Sequence, residues 1–359
     1  MCVSFKEDFF MAVIETKMWI VDKGELIHNG CPRIKEAALL ITKNEVVAFP
    51  TETVYGLGAN AFSEEAVAKI FLAKGRPSDN PLIVHIANDA QLAQLVKGIP
   101  KLAKKLMEAF WPGPLTIVFE KGEGIARQVT AGLETVAVRM PDHEVALSII
   151  NQSGVPLAAP SANVSGKPSP TLAAHVYEDL NGKISGIVDG GATGVGVEST
   201  VLDCTTEIPT ILRPGGVTKE QLEEVVGLVA VDPALEDEGQ APKSPGLKYK
   251  HYAPKAKFIL VDGNIEVLQQ QVQTAKGLGK KVGVLTTNEN VHKYDADIVL
   301  PCGSKSDLAS VAQHLYEVLR KFDEYDIDVI YSETFPEQGV GKAIMNRLDK
   351  AAAGNVIKC

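Results

Sequence analysis

Five cationic side chains stand where predicted strands or helices end, and they are the first candidates for chemistry: Lys74, Arg76, His85, Arg139 and Arg213. Ligands of open α/β sheets bind in the crevice outside the strand ends, so a binding site would form at such positions. Arg76 and Arg213 each precede a proline, which excludes the helical conformation at the arginine. Each residue alone also fits an ordinary surface charge, but five beside Gly/Pro turns indicate an anion-binding cleft.

Small polar residues are spread through the same turn segments. They are Thr51, Thr53, Ser161, Asn163, Ser169, Ser199 and Thr200. Hydroxyls and amides in turns can hold phosphate oxygens or a polar amino acid. They also stabilise turns by bonding their own backbone, and the residues alone leave these two interpretations open.

Several familiar motifs fail on inspection. The segment GGATGVGVES at 190–199 places Ser199 where a dinucleotide fingerprint needs Gly or Ala, so a tight turn is predicted there. Gly341-Lys342 lacks both the first glycine and the Ser/Thr of a phosphate loop. The seven histidines show no metal-ligand spacing, and G-x-S-x-G is absent. The sequence therefore predicts neither a protein-built metal site nor a covalent nucleophile.

The elements that position these residues alternate between β-branched runs and helical periodicity, which predicts an α/β fold. A helix is predicted from Ser63, as N-cap, to Lys74, with Gly75 ending it, so that Arg76 opens the following loop. Predicted strands are VVAF, LIVHI, LTIVF, VAVRM and VPLAA, and later GIVDG, STVLD and TILRP. Because LTIVF and VAVRM follow each other without a helix, a mixed sheet is expected.

The domain organisation follows from changes in composition along the chain. We predict an N-terminal arm at 1–30, a larger α/β domain at 31–226, a linker at 227–257 and a smaller α/β domain at 258–359. The linker combines an acidic stretch with a Pro/Gly-rich one, APKSPGLKYKHYAPK. The last domain alternates FILVD, VGVLT, DIVLP and DVIYS with helices.

Composition sets further limits on function. The 359 residues are 45% hydrophobic and carry a formal net charge of −9, which opposes binding of nucleic acid through a wholly basic surface. The five cysteines form no C-x-x-C pair, so a reducing, cytoplasmic environment is expected. No apolar run reaches the roughly 18 residues of a membrane span, and no membrane partner is expected.

Four segments in this order resemble the YrdC-type threonylcarbamoyl-AMP synthases, in the long form with a second C-terminal domain. They are PTETVYGLG at 50–58, KGRPSDNPLIVHI at 74–86, PSANVSG at 160–166 and LRPGG at 212–216. The resemblance spans the chain from about residue 30 to its end. It implies an N-terminal YrdC-like domain with a twisted mixed sheet and a smaller Rossmann-like C-terminal domain.

The resemblance also implies an activity and its partners. Such enzymes join L-threonine, bicarbonate and ATP into threonylcarbamoyl-AMP and pyrophosphate. A downstream transfer complex then modifies an adenosine of tRNA. Mg²⁺ is expected on the ATP phosphates, and a weak contact of the protein with tRNA is compatible with the resemblance. The resemblance gives the C-terminal domain no specific role beyond regulating or supporting the cleft.

Position by position, the resemblance assigns two sets of ligand contacts. Those for L-threonine are Thr53, His85, Arg139, Ala159 and Ser199. Those for ATP are Arg76, Asn80, Thr135, Ser161, Ser169, Arg213 and Tyr252. Lys74 would lie near bicarbonate and the transferring phosphate and, with Arg76, would be catalytic. Tyr252 would reach back over the nucleotide, which makes the linker an active-site lid or, alternatively, a passive tether.

Two other functions remain open at this point. A carbamoyl-transfer enzyme of the hydrogenase-maturation type would also contain a YrdC-like domain, but the paired C-x-x-C modules of those proteins are absent here. A non-catalytic module that binds double-stranded RNA would need basic surface, which the acidic balance opposes. Salt-dependent RNA binding without pyrophosphate release would identify the second of these.

Overall fold

A computed structural model describes residues 14–22, 31–235 and 251–358 of the chain. It contains two sheets, one for each of the two α/β units expected from the sequence. The first sheet is mixed and has eleven strands, and the second has five strands that all run parallel. The predicted α/β class and the mixed character of the large sheet are confirmed.

The first unit extends from β1 to β11. Its strands are β1 (Lys17–Ile20), β2 (Val47–Phe49), β3 (Gly56–Asn60), β4 (Ile83–His85), β5 (Leu115–Glu120), β6 (Thr135–Arg139), β7 (Leu157–Ala158), β8 (Gly186–Asp189), β9 (Thr200–Asp203), β10 (Thr210–Arg213) and β11 (Ala230–Val231). Its helices are α1 (Pro32–Thr42), α2 (Glu64–Lys74), α3 (Asp89–Ala93), α4 (Lys101–Phe110), α5 (Arg127–Thr130), α6 (Glu144–Ser153), α7 (Ala173–Leu180) and α8 (Lys219–Val226).

The strand order of the first sheet is β1-β8-β2-β3-β7-β4-β6-β5-β9-β10-β11. At its centre, β4 and β6 run parallel with His85 opposite Arg139, so both residues lie at the same end of the sheet. Alternate residues of β2 enter different hydrophobic clusters, Val47 and Phe49 one and Ala48 the other, so the sheet is buried on both faces. The core therefore fixes which way each strand end points.

The second unit is a parallel sheet flanked by helices. Its strands are β12 (Lys257–Asp262), β13 (Val282–Thr286), β14 (Ile298–Pro301), β15 (Val329–Glu333) and β16 (Val356–Lys358), and its helices are α9 (Ile265–Gly277), α10 (Leu308–Lys321) and α11 (Gly341–Ala352). Short 3-10 turns lie at Pro233–Leu235, Val291–Lys293 and Phe322–Glu324. The strand order is β14-β13-β15-β12-β16.

Local sequence signals predicted several element ends correctly. The Ser63 side chain accepts a hydrogen bond from the amide of Ala66 at the start of α2, and Gly75 ends that helix with φ +60°. At the start of α8, Thr218 and Gln221 form a capping box. These interactions satisfy backbone groups that a helix end leaves without a partner.

Strand β3 was not predicted, because its sequence GLGAN is rich in glycine, which has low strand propensity. Tertiary packing explains the composition. A Cβ atom at Gly58 would lie 2.5 Å from the Phe49 ring on the neighbouring strand β2. Glycine is required there by a close approach, so the strand exists in spite of its local preference.

The domain boundaries stay a prediction, but the structure places strands inside two segments in which no strand was predicted. Within the predicted arm, β1 pairs in parallel with β8. Within the predicted linker, Ala230 and Val231 pair with β10 of the first sheet. Most of the remaining linker, 236–250, lies outside the described residues.

The two units share an interface. Val54 and Val197 of the first unit lie in one hydrophobic cluster with Tyr316 and Ile344 of the second. The 190–199 turn ends against α10, where a Cβ atom at Gly196 would lie 2.3 Å from Gln313 Cα. The segment that resembled a dinucleotide motif is therefore a docking turn between the units.

Among the helices that the structure describes, none combines the length and apolar character needed to cross a membrane.

Candidate active site

One cavity lies at the ends of β4 and β6 and brings together most of the predicted site residues. Ten of them line it: Thr53, Lys74, Arg76, His85, Arg139, Ala159, Ser161, Ser199, Arg213 and Tyr252. The four turn segments singled out in the sequence all contribute to this lining. Residues up to 199 positions apart in the chain, Thr53 and Tyr252, therefore face one space.

Arg139 lines the cavity and is only 3% exposed. Its Nη1 donates to the hydroxyl of Thr53 at 2.8 Å, and its Nε donates to the Gly113 carbonyl at 3.2 Å. It also forms an ion pair with Glu52. The guanidinium is thus held in one orientation, as a planar fork that binds a carboxylate requires.

His85 lies beside Arg139 across the β4–β6 pair. Burial, together with the Arg139 charge, lowers the pKa of His85 to about 3. The imidazole is therefore neutral at physiological pH. Its Nδ1 is buried without a hydrogen-bond partner, so it can bond a ligand that enters this end of the cavity.

Lys74 ends α2 and is buried, with 3% of its surface exposed. Its ammonium donates to the backbone carbonyls of Ser161, at 2.5 Å, and Asn163, at 2.7 Å. Burial, and then the nearby Arg76 charge, lowers the pKa of Lys74 well below its usual value. An anion bound next to Lys74 would offset this penalty, so the site favours negatively charged ligands.

Arg213 and Ser199 connect two parts of the cavity. Arg213 donates to the Ser199 carbonyl through Nε at 3.2 Å and Nη2 at 2.9 Å, and to the Ser199 hydroxyl at 3.3 Å. The Ser199 hydroxyl also lies 2.7 Å from that of Thr116 on β5. Burial lowers the pKa of Arg213. A second buried and hydrogen-bonded arginine therefore lines the cavity.

Three predicted site residues do not line the cavity. Asn80 is buried behind Arg76 and accepts a hydrogen bond from its guanidinium at 3.4 Å. Ser169 donates to Glu198 at 2.6 Å. Thr135 begins β6, about 13 Å along the strand from Arg139, and pairs with Glu120. Asn80 and Ser169 each contact a residue that lines the cavity. The assignment of Thr135 to ATP stays a prediction that the geometry does not support.

Glu198 is the main cavity residue that sequence reasoning missed. It is 7% exposed and accepts hydrogen bonds from Ser169, Tyr316 and Arg347. Burial alone would raise its pKa, but the Arg347 and Arg213 charges lower the pKa of Glu198 to about 2. Its partners come from distant parts of the chain, so only its position before Ser199 could have drawn attention to it.

Tyr252 reaches the cavity from the end of the predicted linker. Its ring stacks on Tyr316 at 5.1 Å between centroids, and the Arg347 guanidinium lies 5.7 Å above it. The adjacent His251 also lines the cavity, and burial lowers the pKa of His251 to about 4. Both residues are thus packed between the first unit and the second.

The buried histidines predict how stability depends on pH. Burial lowers the pKa of His85 to about 3 and those of His175 and His251 to about 4, from an ordinary 6.5. The unfolded chain therefore binds more protons than the folded one below pH 6.5, and the free energy of unfolding should fall as the pH falls towards 4. Urea titrations at pH 7, 6 and 5 measure this slope.

His175→Gln supplies the matched control, because His175 lies outside the cavity. Removing one such histidine should reduce the slope by up to about 1.4 kcal/mol per pH unit. Equal unfolding free energies at pH 7 and pH 5 for the unmodified protein would contradict this account.

The side chains in and near the cavity limit how the protein could bind a metal ion. Among the described residues, no group of three or more His, Cys, Asp or Glu is arranged to bind one. The carboxylate of Glu198 already accepts hydrogen bonds from three side chains. The other carboxylate near the cavity, Glu52, pairs with Arg139.

Two family models match consecutive parts of the chain. Residues 39–215 match the Sua5/YciO/YrdC family, described as "Telomere recombination". Residues 217–353 match the "Threonylcarbamoyl-AMP synthase, C-terminal domain". The boundary between the two matches lies in the short turn between β10 and α8.

Similar proteins cover nearly the whole chain. A threonylcarbamoyl-AMP synthase from Bacillus subtilis is 56% identical over 346 residues, which are 96% of this chain and 100% of the relative. One from Pyrococcus abyssi is 50% identical, over 91% of this chain and 96% of the relative. The crystal structure of P. abyssi Sua5 complexed with L-threonine superimposes with a TM-score of 0.89 at 48% identity, covering 96% of this chain and 100% of that one.

Proposed function

Since this chain belongs to the threonylcarbamoyl-AMP synthase family, we propose that it condenses L-threonine, bicarbonate and ATP into threonylcarbamoyl-AMP and pyrophosphate. The observation that carries the proposal is a cavity lined by two buried arginines, Arg139 and Arg213, and a buried lysine, Lys74. A protein with a net charge of −9 concentrates buried cations where anionic substrates would meet.

The reaction needs positioning and charge neutralisation more than a nucleophile from the protein. The threonine amine attacks bicarbonate, which forms a carbamate and releases water. A carbamate oxygen then bonds to the α-phosphorus of ATP as the bond to pyrophosphate breaks. The carbamate is itself the nucleophile, so the protein must hold anions in contact and stabilise developing charge.

The cost of bringing these reactants together explains the buried cations. Two like charges ~4 Å apart repel by about 4 kcal/mol at an effective dielectric constant near 20. Lys74 and Arg76 line the cavity and are proposed as the catalytic cations. Lys74 would stay fully protonated once bicarbonate or phosphate oxygens lie beside it, since an opposite charge favours the ammonium form.

We assign the two sides of the cavity to the two larger substrates. The Arg139 fork would bind the threonine carboxylate, with Thr53, His85, Ala159 and Ser199 around the rest of the amino acid. Arg76, Ser161 and Arg213 would contact ATP, with Asn80 and Ser169 supporting them from behind. The direct bond between Arg213 and Ser199 joins the two sides, which the reaction must bring into contact.

Mg²⁺ is proposed to enter with ATP. Hard cations prefer oxygen ligands, which the triphosphate supplies. Since Glu198 and Glu52 are already paired with arginines, the cavity hydroxyls of Ser161 and Ser199 are the protein groups that would approach the ion or its waters. Bound there, Mg²⁺ would neutralise phosphate charge.

The product is proposed to serve tRNA modification. A downstream transfer complex would receive the adenylate and pass its threonylcarbamoyl group to an adenosine, and the protein would act in the cytoplasm. Any tRNA contact of this chain is expected to be weak, since its net charge is −9.

A pyrophosphate-release assay with L-threonine, bicarbonate and Mg-ATP tests the function, with each substrate omitted in turn. Release should require all three. Release that is independent of threonine would indicate a different nucleotide hydrolase. Salt-dependent RNA binding without any release would instead support the RNA-binding alternative.

The position of Tyr252 supports a further proposal, that the linker end closes the cavity over the nucleotide. The ring is 5% exposed and is held by Tyr316 and Arg347. Tyr252→Ala should therefore weaken binding of a non-hydrolysable ATP analogue by about tenfold, because one aromatic contact is worth ~1 kcal/mol or more. Unchanged nucleotide affinity and turnover would leave the segment a passive tether.

A further inference from the structure

Arg347 on α11 is a residue of the C-terminal unit that bonds the cavity of the first unit. It is fully buried, with 0% of its surface exposed. Its Nε donates to Glu198 at 2.8 Å, and its Nη2 donates to the Pro214 carbonyl at 3.0 Å. Glu198 directly precedes Ser199, and Pro214 directly follows Arg213. One guanidinium thus bonds the chain neighbours of two cavity residues.

The two segments that Arg347 joins are themselves in close contact. Arg213 bonds Ser199, and a Cβ atom at Gly215 would lie 2.3 Å from the Glu198 carbonyl oxygen. The turn after Arg213 therefore crosses the backbone before Ser199 with no room for a side chain. A shift of either segment would move both cavity residues.

Glu198 receives a second donor from the same unit. The Tyr316 hydroxyl on α10 bonds Glu198 at 2.8 Å, and Ser169 completes the set at 2.6 Å. The Arg347 and Arg213 charges act on Glu198, and those of Lys350 and Lys74 lie near enough to interact with it. Without Arg347, the buried carboxylate would lose its bonded cation and would attract Arg213, which would move that side chain out of its present orientation.

We propose that Arg347 is a positioning residue, which fixes Ser199 and Arg213 through Glu198 and Pro214 and so lets the C-terminal unit set the alignment of the two sides of the cavity. The inference rests on the proposed function, because alignment matters where two bound substrates must react. It gives the C-terminal unit a part in the chemistry without a contact to any substrate.

The expected signature is a loss of turnover without a matching loss of binding. A misplacement of about 1 Å can lower a rate by ~10²-fold, whereas each substrate alone keeps most of its contacts. Arg347→Met should lower kcat for pyrophosphate release by about 30- to 100-fold. The Kd for L-threonine should change by less than about threefold, and the Kd for a non-hydrolysable ATP analogue by less than the tenfold expected of Tyr252→Ala, because Tyr316 still holds the Tyr252 ring.

Arg347→Lys keeps the charge next to Glu198 but cannot bond both Glu198 and the Pro214 carbonyl as a planar fork does. Arg347→Lys tests the proposal if Arg347→Met fails to fold. Its kcat should fall by about tenfold. Wild-type kcat in folded Arg347→Met or Arg347→Lys protein would overturn the proposal. A rise in either Kd as large as the fall in kcat would also overturn it, because binding and not alignment would then depend on Arg347.

The matched control is Arg320 on α10, which forms another buried ion pair between the units. It bonds Asp179 at 2.8 Å and the Pro168 carbonyl at 2.6 Å, and none of these three residues lines the cavity. Arg320→Met should lower the melting temperature and leave kcat within about threefold. An equal loss of kcat in Arg320→Met would mean that docking of the units in general, and not Arg347, sets turnover.

The assay separates the inference from the function on which it rests. A wild-type protein that releases no pyrophosphate from the three substrates would overturn both. An active wild type with equally active Arg347 variants would overturn the positioning role alone.

Discussion

Lys74→Met is expected to lower threonine-dependent pyrophosphate release by about 10²- to 10³-fold, the usual cost of removing one preorganised group that stabilises transition-state charge. The buried Lys74 ammonium donates to the backbone carbonyls of Ser161 and Asn163. The proposed bicarbonate and transferring phosphate would lie beside it. Methionine retains most of the side-chain volume. The loss should appear in kcat/KM for all three substrates, measured by the same assay.

Lys69→Met is the matched control for this substitution. Lys69 lies on the same helix α2, but it pairs with Glu45 and Glu65 and is one-third exposed. It should retain wild-type activity, since exposed ion pairs contribute little. Lys74→Met with activity near that of Lys69→Met, in protein of unchanged melting temperature, would remove Lys74 from the mechanism.

Loss of Arg139 should weaken the binding of L-threonine and leave the binding of ATP unchanged. The double variant Glu52→Gln/Arg139→Met removes the buried ion pair together, which avoids leaving Glu52 charged and unpaired. A bidentate, charge-assisted contact with the threonine carboxylate is worth about 3 kcal/mol, so the Kd for L-threonine should rise by roughly 100-fold. Calorimetric titration with L-threonine measures it.

The same variant provides the internal control, because the Kd for an ATP analogue should change by less than about threefold. Arg127→Met, at the exposed start of α5, tests for a general effect of losing a positive charge and should leave both affinities unchanged. A variant with normal threonine affinity and weakened nucleotide affinity would place Arg139 on the other side of the cavity.

Sequence reasoning found most of the cavity because its residues stand at element ends with strong local signals. Gly75 ends α2 directly after Lys74, and the proline after Arg213 ends β10. Such signals depend on a few neighbouring residues, so they can be read without knowledge of the fold. The same reasoning predicted the helices of the second unit and the mixed character of the first sheet.

The parts that were missed depend on contacts between distant segments. Strand β3 is required by the approach of Phe49 to Gly58, which no local propensity reveals. Glu198 acquires its role from Arg347, 149 positions later in the chain. The assignment of Thr135 to the nucleotide stays a prediction, and Thr135 begins the strand that Arg139 ends.

Tyr252 has a φ of +62°, a left-handed backbone conformation that residues with a side chain rarely adopt. Holding it costs about 1 kcal/mol or more, which the ring contacts with Tyr316 and Arg347 must offset. The backbone at Tyr252 thus stores a small amount of conformational strain. If this segment closes the cavity as proposed, part of that energy would be recovered when the ring leaves its contacts, so opening the cavity to release product would cost less.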